Sequence, residues 1–502
     1  MNTGSVSLMW LLDGIAAVPP NDAQVVDLTL DSREVRPGSL FFALRGGQSH
    51  GLQFAAEAAT RGASAVLWEP DSDTETPVLV PAVFAAPVAD LHKLVGRIAD
   101  RFFSWPSSQL RIVGITGTNG KTTCAYLLAQ ALQRLESDAA YMGTIGWGRV
   151  GALTTQAQTT PDAINVHRTL AQLKALGVRD VAMEVSSHAL DQGRVDGVRF
   201  HSAAFTNLSR DHLDYHPSMH AYGEAKARLF AAENLQHVII NIGDAFGRQL
   251  ALRLSGRVPL TAVWIGAGAA GAAWLADRAL HASDVVLDLR GVSMELDGSF
   301  GTQHLRTRLL GRFNAENSLV VLGCLLALGV PLDEAVSALA ECTAPPGRME
   351  VIEPELTGKP LAVIDYAHTP DALAKALAAL REHCSGALWC VFGCGGDRDP
   401  GKRPLMGGIA DELADQIIVT DDNPRSENPQ DIIRGITSGI TSHCARVIPN
   451  RGEAIAAALN EAAAADVVLI AGKGHEDYQI YGAARLSFSD RLEAQRHLGA
   501  AA

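Results

Sequence analysis

Gly117, Thr118, Asn119, Gly120, Lys121, Thr122 and Thr123 follow the β-branched run Arg111-Ile-Val-Gly-Ile-Thr116 and lead into a helical stretch from Cys124 to Leu135. A strand, two glycines, a lysine and a hydroxyl residue, then a helix, is the order that wraps backbone N–H groups around a polyphosphate. The glycines let the backbone approach phosphate oxygens, Lys121 supplies a point charge for the β- and γ-phosphates, and the Thr122 hydroxyl is placed to ligate Mg²⁺. These residue types predict an ATP site. The strict phosphate-loop spacing would have glycine at position 115, which is Ile115. The assignment therefore rests on the strand before and the helix after, because a glycine-rich turn with an exposed lysine has the same local composition.

Further reactive residues stand where apolar runs end. Glu184 closes Asp180-Val-Ala-Met-Glu184 and is followed by Ser186, Ser187 and His188; Asn207 closes Ala203-Ala-Phe-Thr-Asn207 and is followed by Asp211-His212-Leu-Asp-Tyr-His216. A carboxylate and an imidazole at the same sheet edge as a phosphate loop can hold a divalent metal. Singly, Glu184 also suits a helix N-terminus and His212 a hydrogen-bonded loop. Lys226 falls on a predicted helix from Met219 to Phe230, where a lysine is ordinarily solvated. Downstream, Asp365-Tyr-Ala-His-Thr-Pro370, Gly393-Cys-Gly-Gly-Asp397-Arg398, Asp421-Asp-Asn-Pro-Arg425 and Gly472-Lys-Gly-His-Glu476 each follow a short apolar run.

The elements that must position these groups are alternating strands and helices, the pattern of mainly parallel α/β sheets whose ligands sit at the carboxyl ends of the strands. At 502 residues the chain exceeds one core, and three α/β domains are expected: 1–109, 110–344 and 345–502. In the first, strands are expected at Val25 to Leu30 and Leu40 to Leu44, a helix at Gln53 to Ala59, and a linker around Phe102 to Ser108. In the second, a hairpin is expected from Val285 to Leu296 and His304 to Leu309. Pro345 and Pro346 mark the start of the third domain, and closure about this boundary is expected. A net charge of −13 argues against a nucleic-acid surface, though not against a local cationic pocket. Seven scattered cysteines suggest reduced thiols, with Cys390 and Cys394 buried small residues rather than metal ligands. No run of about 18 apolar residues occurs, so a cytoplasmic protein with no membrane insertion is expected, and a monomer.

As an ordered set, Gly117 to Thr123, Met183-Glu-Val-Ser-Ser-His188, Asp211 to His216, Asp365 to Pro370 and Gly472 to Glu476 resemble the Mur ligases of peptidoglycan synthesis. The resemblance spans all three expected domains: a small uridine-binding α/β domain, a central phosphate-loop parallel-sheet ATPase domain, and a Rossmann-like domain that binds an amino acid. The run Asp422-Asn423-Pro424-Arg425 resembles the selector of the member adding meso-diaminopimelate to UDP-N-acetylmuramoyl-L-alanyl-D-glutamate. Meso-diaminopimelate carries a second carboxylate, which an arginine can grip bidentately, whereas lysine would bring a bare ammonium. An Asx-Pro turn would give the loop the same shape.

Other roles follow from the resemblance residue by residue. Leu30, Ser32, Gly47, Gln48 and Ser49 would hold uridine. Gln158, Thr159, Thr160, Ser186, Gln192 and Arg194 would hold the muramoyl and pyrophosphate portions, with Gln158 standing where the family usually has asparagine. Asn317, Arg348 and Asp365 would hold the adenine nucleotide, and Arg398, Asp422, Asn423, Pro424, Arg425, Gly472 and Glu476 the diaminopimelate. Thr122 and Glu184 would hold one Mg²⁺, and His212 a second together with Lys226, which stands where the family has a carbamylated lysine. The implied reaction is phosphorylation of the D-glutamate side-chain carboxylate, with Lys121 and Arg348 offsetting charge, followed by attack of the diaminopimelate amine. The competing expectations are a lysine-adding or folate-polyglutamylating relative, an ATP-dependent switch or kinase without ligase chemistry, and a non-catalytic binding module.

Overall fold

The computed structural model describes residues 4–16, 22–46, 49–70, 77, 79, 83–268, 271, 275–442 and 445–500, so Gly47, Gln48 and Cys444 lie outside the described residues. The chain packs as two compact units, Met1–Ala262 with Trp274–Asp277, and Val263–Ala273 with Arg278–Ala502.

The first unit begins with a four-stranded parallel sheet in the order Asp27–Thr29, Ser39–Ala43, Ala65–Trp68, Phe84–Pro87. Its strands alternate between two cores. Leu40, Phe42, Ala65 and Leu67 pack with the helix Leu91–Phe102, while Phe41, Ala43, Val66 and Trp68 pack with the helix Ala55–Thr60. The strand expected over Val25 to Leu30 is two: Gln24–Val25 pairs with Val6–Ser7, and Asp27–Thr29 joins the main sheet. The helix expected from Gln53 begins as a 3₁₀ turn, Gly51–Phe54. The expected linker is packed: Pro106–Gln109 is a 3₁₀ turn whose Ser107 hydroxyl donates to buried Asp100 at 3.1 Å.

The same unit continues into a parallel array ordered Ala139–Gly143, Asp180–Glu184, Arg111–Thr116, Ser202–Phe205, His237–Asn241, extended past Ala139–Gly143 by the antiparallel strands Gly146–Arg149 and Ala152–Thr154. The connections are helices, including Lys121–Arg134 after Arg111–Thr116 and Met219–Ala227 before His237–Asn241. Helical connections let neighbouring strands run parallel and gather their carboxyl ends on one edge.

In the second unit an antiparallel meander, Arg278–Asp288, Gly291–Gly298 and Gln303–Thr307, precedes the helices Arg312–Ala327 and Leu332–Ala340. The expected run from Val285 to Leu296 is thus two strands, broken where Gly291 takes φ +124 against Asp288. A six-stranded sheet follows, ordered Glu350–Ile352, Leu361–Asp365, Val467–Ala471, Leu388–Phe392, Gln416–Val419, Arg446–Val447, parallel except at its first strand. Val467, Leu469 and Ala471 enter one core and Val468 and Ile470 the other, which is why these strands read as continuous apolar runs.

Beneath the sheet's ligand edge, Arg451 and Asp490 are both fully buried, with Nε–Oδ1 at 2.7 Å and Nη2–Oδ2 at 2.8 Å; Nη2 also donates to the Ala471 carbonyl at 2.9 Å. Arg451→Met strands a buried carboxylate and should lower stability by about 3–5 kcal/mol. Urea unfolding checks this; an unchanged midpoint would mean that the pair is dispensable.

Candidate functional site

In the first unit, the loop between Arg111–Thr116 and Lys121–Arg134 is shaped by two glycines. A side chain at Gly117 would lie 1.9 Å from the Thr206 hydroxyl oxygen, and Gly120 takes φ +84 as the N-cap of the helix. The loop is pinned from the next strand end: Thr118 N donates to the Asn207 carbonyl at 2.8 Å and Asn119 N to Asn207 Oδ1 at 3.0 Å. Lys121 Nζ lies over the loop, donating to the Gly117 and Thr118 carbonyls at 2.9 Å each. Thr123 follows in the helix's first turn. Helix N-terminus and lysine together form an anion-binding concavity.

Glu184 is fully buried and shared by several donors. It accepts from Thr122 Oγ1 at 2.9 Å, from Thr144 N at 2.8 Å and from the Tyr141 hydroxyl. Thr122 and Glu184, predicted as partners, are therefore in contact, and their hard oxygen donors suit Mg²⁺. Thr159 Oγ1 is 3.0 Å from the Thr144 hydroxyl, Thr160 Oγ1 donates to the Glu184 carbonyl at 2.9 Å, and Ser186 N donates back to Thr160 at 3.2 Å.

Lys226 is a correction to the surface lysine expected from its helix. It is 1% exposed, donates to the Gly117 carbonyl at 2.7 Å and lies 4.2 Å from the Tyr222 ring centre, four residues back on the same face. Burial, aided by Lys121, holds its pKa well below the ordinary lysine range. A neutral amine there can add CO₂, so the residue suits a carbamate. Among the described residues no hydrogen bond or ring contact joins His212 to it; the His212 Nε2 faces Asp211 at 3.5 Å and its ring stacks edge-on against His188.

Arg194 gathers the residues expected for the sugar–pyrophosphate portion. It donates to Gln158 Oε1 at 3.0 Å, to the Thr160 carbonyl at 2.9 Å, and to Gln192 Oε1 through Nε and Nη2. A cavity of about 860 Å³ brings Gln158, Gln192 and Arg194 together with Leu30. His50, in the polar turn from Gly46 to Gly51, also lines it, as do Arg45, Glu69 and His92, to which no motif in the sequence pointed. Ser32 does not line it; its hydroxyl donates to Glu57 at 3.0 Å. Ser49 is exposed on the same turn.

In the second unit, Asp365 accepts from Met349 N at 2.8 Å and Ala367 N at 2.9 Å, and Arg348 lies 5.1 Å from the Tyr366 ring centre. Burial raises the Asp365 pKa while Arg348 works against the rise. Asn317 is buried in its helix, donating to Asn314 at 2.8 Å.

Three strand ends of the six-stranded sheet meet at the selector run. Arg425, at φ +52, donates from N to the Ile480 carbonyl at 3.0 Å and from Nη1 to the Gly396 carbonyl at 2.7 Å. Asn423 Nδ2 donates to Glu476 at 2.8 Å, and Gly472, at φ +118, comes so close to Asp422 that a Cβ would lie 2.5 Å from Oδ2. Asp422 and Pro424 are buried, and burial raises the Asp422 pKa. Arg398 is exposed beside Gly395, which Arg425 also flanks. Such a pocket presents guanidinium groups beside two carboxylates, the complement of an amino acid's charged end. Cys390 and Cys394 are buried as expected, and burial pushes both thiols' pKa up.

Three family models match along the chain: the Mur ligase family catalytic domain at 24–103, the Mur ligase middle domain at 115–325, and the Mur ligase glutamate ligase domain at 347–474. The chain is 49% identical over 477 residues to a UDP-N-acetylmuramoyl-L-alanyl-D-glutamate–2,6-diaminopimelate ligase of Ectopseudomonas mendocina, covering 94% of this chain and 95% of that protein. It is 48% identical over 482 residues to the protein of that name from Pseudomonas aeruginosa, covering 95% and 96%. A solved structure of a ligase with this name matches at 35% identity and a TM-score of 0.73 over 99% of both chains. A MurF structure from Acinetobacter baumannii, at 19% identity, shares the fold at a TM-score of 0.60 over 94% of this chain and 96% of that one. The chain belongs to the Mur ligase family.

Proposed function

We propose that the protein is an ATP-dependent ligase that joins meso-diaminopimelate to the D-glutamate side chain of UDP-N-acetylmuramoyl-L-alanyl-D-glutamate, a step in peptidoglycan precursor synthesis. The observation that carries the reading is the selector pocket: Arg425 held by the Ile480 and Gly396 carbonyls, beside Asp422 and Glu476, in a family of amino-acid-adding ligases. Relatives named for that activity align with nearly the whole chain, which supports it further. Residues 1–109 bind uridine, 110–344 the nucleotide, and 345–502 the amino acid. The protein acts as a cytoplasmic monomer. Among the described residues no helix is long and apolar enough to cross a membrane.

Lys121 and the loop N–H groups offset charge on the triphosphate, and Arg348, Asn317 and Asp365 engage the nucleotide. Thr122 and Glu184 would hold Mg²⁺, which would supply charge neutralisation to the triphosphate. His212 and Lys226, the latter as a carbamate, would serve a second ion. The Arg194 cluster and Leu30, with Gly47, Gln48 and Ser49, orient the UDP-linked dipeptide so that its free carboxylate becomes an acyl phosphate. The diaminopimelate amine then attacks, and phosphate leaves. Arg425 and Arg398 hold the far carboxylate, and Asp422 and Glu476 the far ammonium. Positioning of this kind can contribute about 7–11 kcal/mol to catalysis.

Phosphate release from ATP should require the UDP-linked dipeptide and diaminopimelate together. Removal of CO₂ should slow it, and bicarbonate should restore it. Turnover that ignores the amino acid would instead indicate a switch or kinase.

A further inference from the structure

Lys473 sits inside the motif Gly472-Lys-Gly-His-Glu476 without an assigned role, yet its side chain is fully buried at the selector pocket. Its Nζ donates to Asn423 Oδ1 at 3.2 Å and to Glu476 Oε2 at 3.2 Å, stands 4.0 Å from Asp422 Oδ1, and lies 5.4 Å from the Tyr478 ring centre. Asn423 Oδ1 also accepts from Ile480 N at 3.0 Å, and Asn423 Nδ2 donates to the same Glu476 oxygen that Lys473 holds. One ammonium thus ties together the two carboxylates and the amide of the pocket. Burying a lysine this completely is unfavourable unless its charge is paired, and here its polar partners Asp422, Asn423 and Glu476 all belong to the proposed amino-acid site.

We infer that Lys473 is a positioning residue for amino-acid selection: it aims Asp422, Asn423 and Glu476, and its charge makes the pocket reject a bare ammonium while accepting a zwitterionic end. This rests on the selector pocket being the diaminopimelate site. Lys473 adds one positive charge against Asp422 and Glu476, the carboxylates that face the incoming amino acid's far end. A far end bearing both carboxylate and ammonium, like that of diaminopimelate, is neutral and tolerates this charge. The far ammonium of lysine does not.

The test compares wild type and Lys473→Met in phosphate release at fixed ATP and UDP-linked dipeptide, with diaminopimelate and L-lysine varied in turn. Losing charge-assisted hydrogen bonds should raise the KM for diaminopimelate about tenfold or more, leaving the KM for ATP unchanged. The preference for diaminopimelate over lysine in kcat/KM should shrink by about as much. A purely structural lysine would lower kcat with both amino acids alike, and an unchanged preference overturns the inference. Should the single variant not fold, Lys473→Met/Glu476→Gln removes the charge with its partner and is compared with Glu476→Gln alone. The double variant is expected to favour lysine more strongly, and equal preferences overturn the inference. Wild type that cannot use diaminopimelate at all would instead sink the underlying functional reading.

Discussion

Lys121→Ala should lower kcat by about 10²–10³-fold, the loss typical when one preorganised electrostatic group is removed from a site of charge transfer. Lys121 Nζ hydrogen-bonds the Gly117 and Thr118 carbonyls, so its ammonium is held over the concavity formed by the loop's N–H groups. A triphosphate there would take over one or both of those contacts. The loop itself should survive the substitution, because its shape depends on Gly117, Gly120 and the Asn207 contacts rather than on the lysine. The defect should therefore appear in turnover, with the thermal midpoint close to wild type. Steady-state phosphate release and a melting curve check both. Wild-type kcat in the variant would place the triphosphate elsewhere.

Arg425→Ala should act differently, raising the KM for diaminopimelate by about 10²-fold or more while kcat at saturation changes little. Removing one partner of a desolvated charge pair costs about 2–5 kcal/mol, much of it from the carboxylate left unpaired. Arg425→Lys should recover little of this. An ammonium cannot span both oxygens of a carboxylate while also keeping the Gly396 contact that aims the guanidinium. Both variants keep a non-glycine residue at φ +52, so backbone strain is the same in each. Amino-acid titrations at fixed ATP separate KM from kcat; an unchanged KM in Arg425→Ala would remove the arginine from the pocket.

The sequence showed the phosphate loop and the strand ends because each answers a local demand. A polyphosphate cradle needs its glycines, and parallel strands buried on both faces read as unbroken apolar runs that stop where polar loops begin. The pairing of Thr122 with Glu184 came from the family resemblance, and the structure adds that Asp180–Glu184 lies beside Arg111–Thr116. Lys226 was less legible: its helix buries Tyr222, Gly223, Ala225 and Lys226, a face whose mixed composition has no apolar periodicity. His212 lies in an irregular loop at φ +51, whose path no pattern specifies. The expected antiparallel hairpin is present between Gly291–Gly298 and Gln303–Thr307, but its first arm was read from Val285 because Leu287, Leu289 and Val292 make the preceding turn look continuous with its strands. Arg45, Glu69 and His92 became visible only as cavity walls, since residues distant in sequence meet there through tertiary packing alone. Lys473 stood in a motif, but its burial among three pocket residues was invisible until the strand ends were brought together.

Recognition of the far end of the incoming amino acid by residues 422–425 is tested most directly by a panel of amino acids in the phosphate-release assay with the UDP-linked dipeptide. Meso-diaminopimelate should support turnover, and L-lysine, which lacks only the far carboxylate, should fall in kcat/KM by about 10²-fold or more. Equal turnover with lysine would contradict the account.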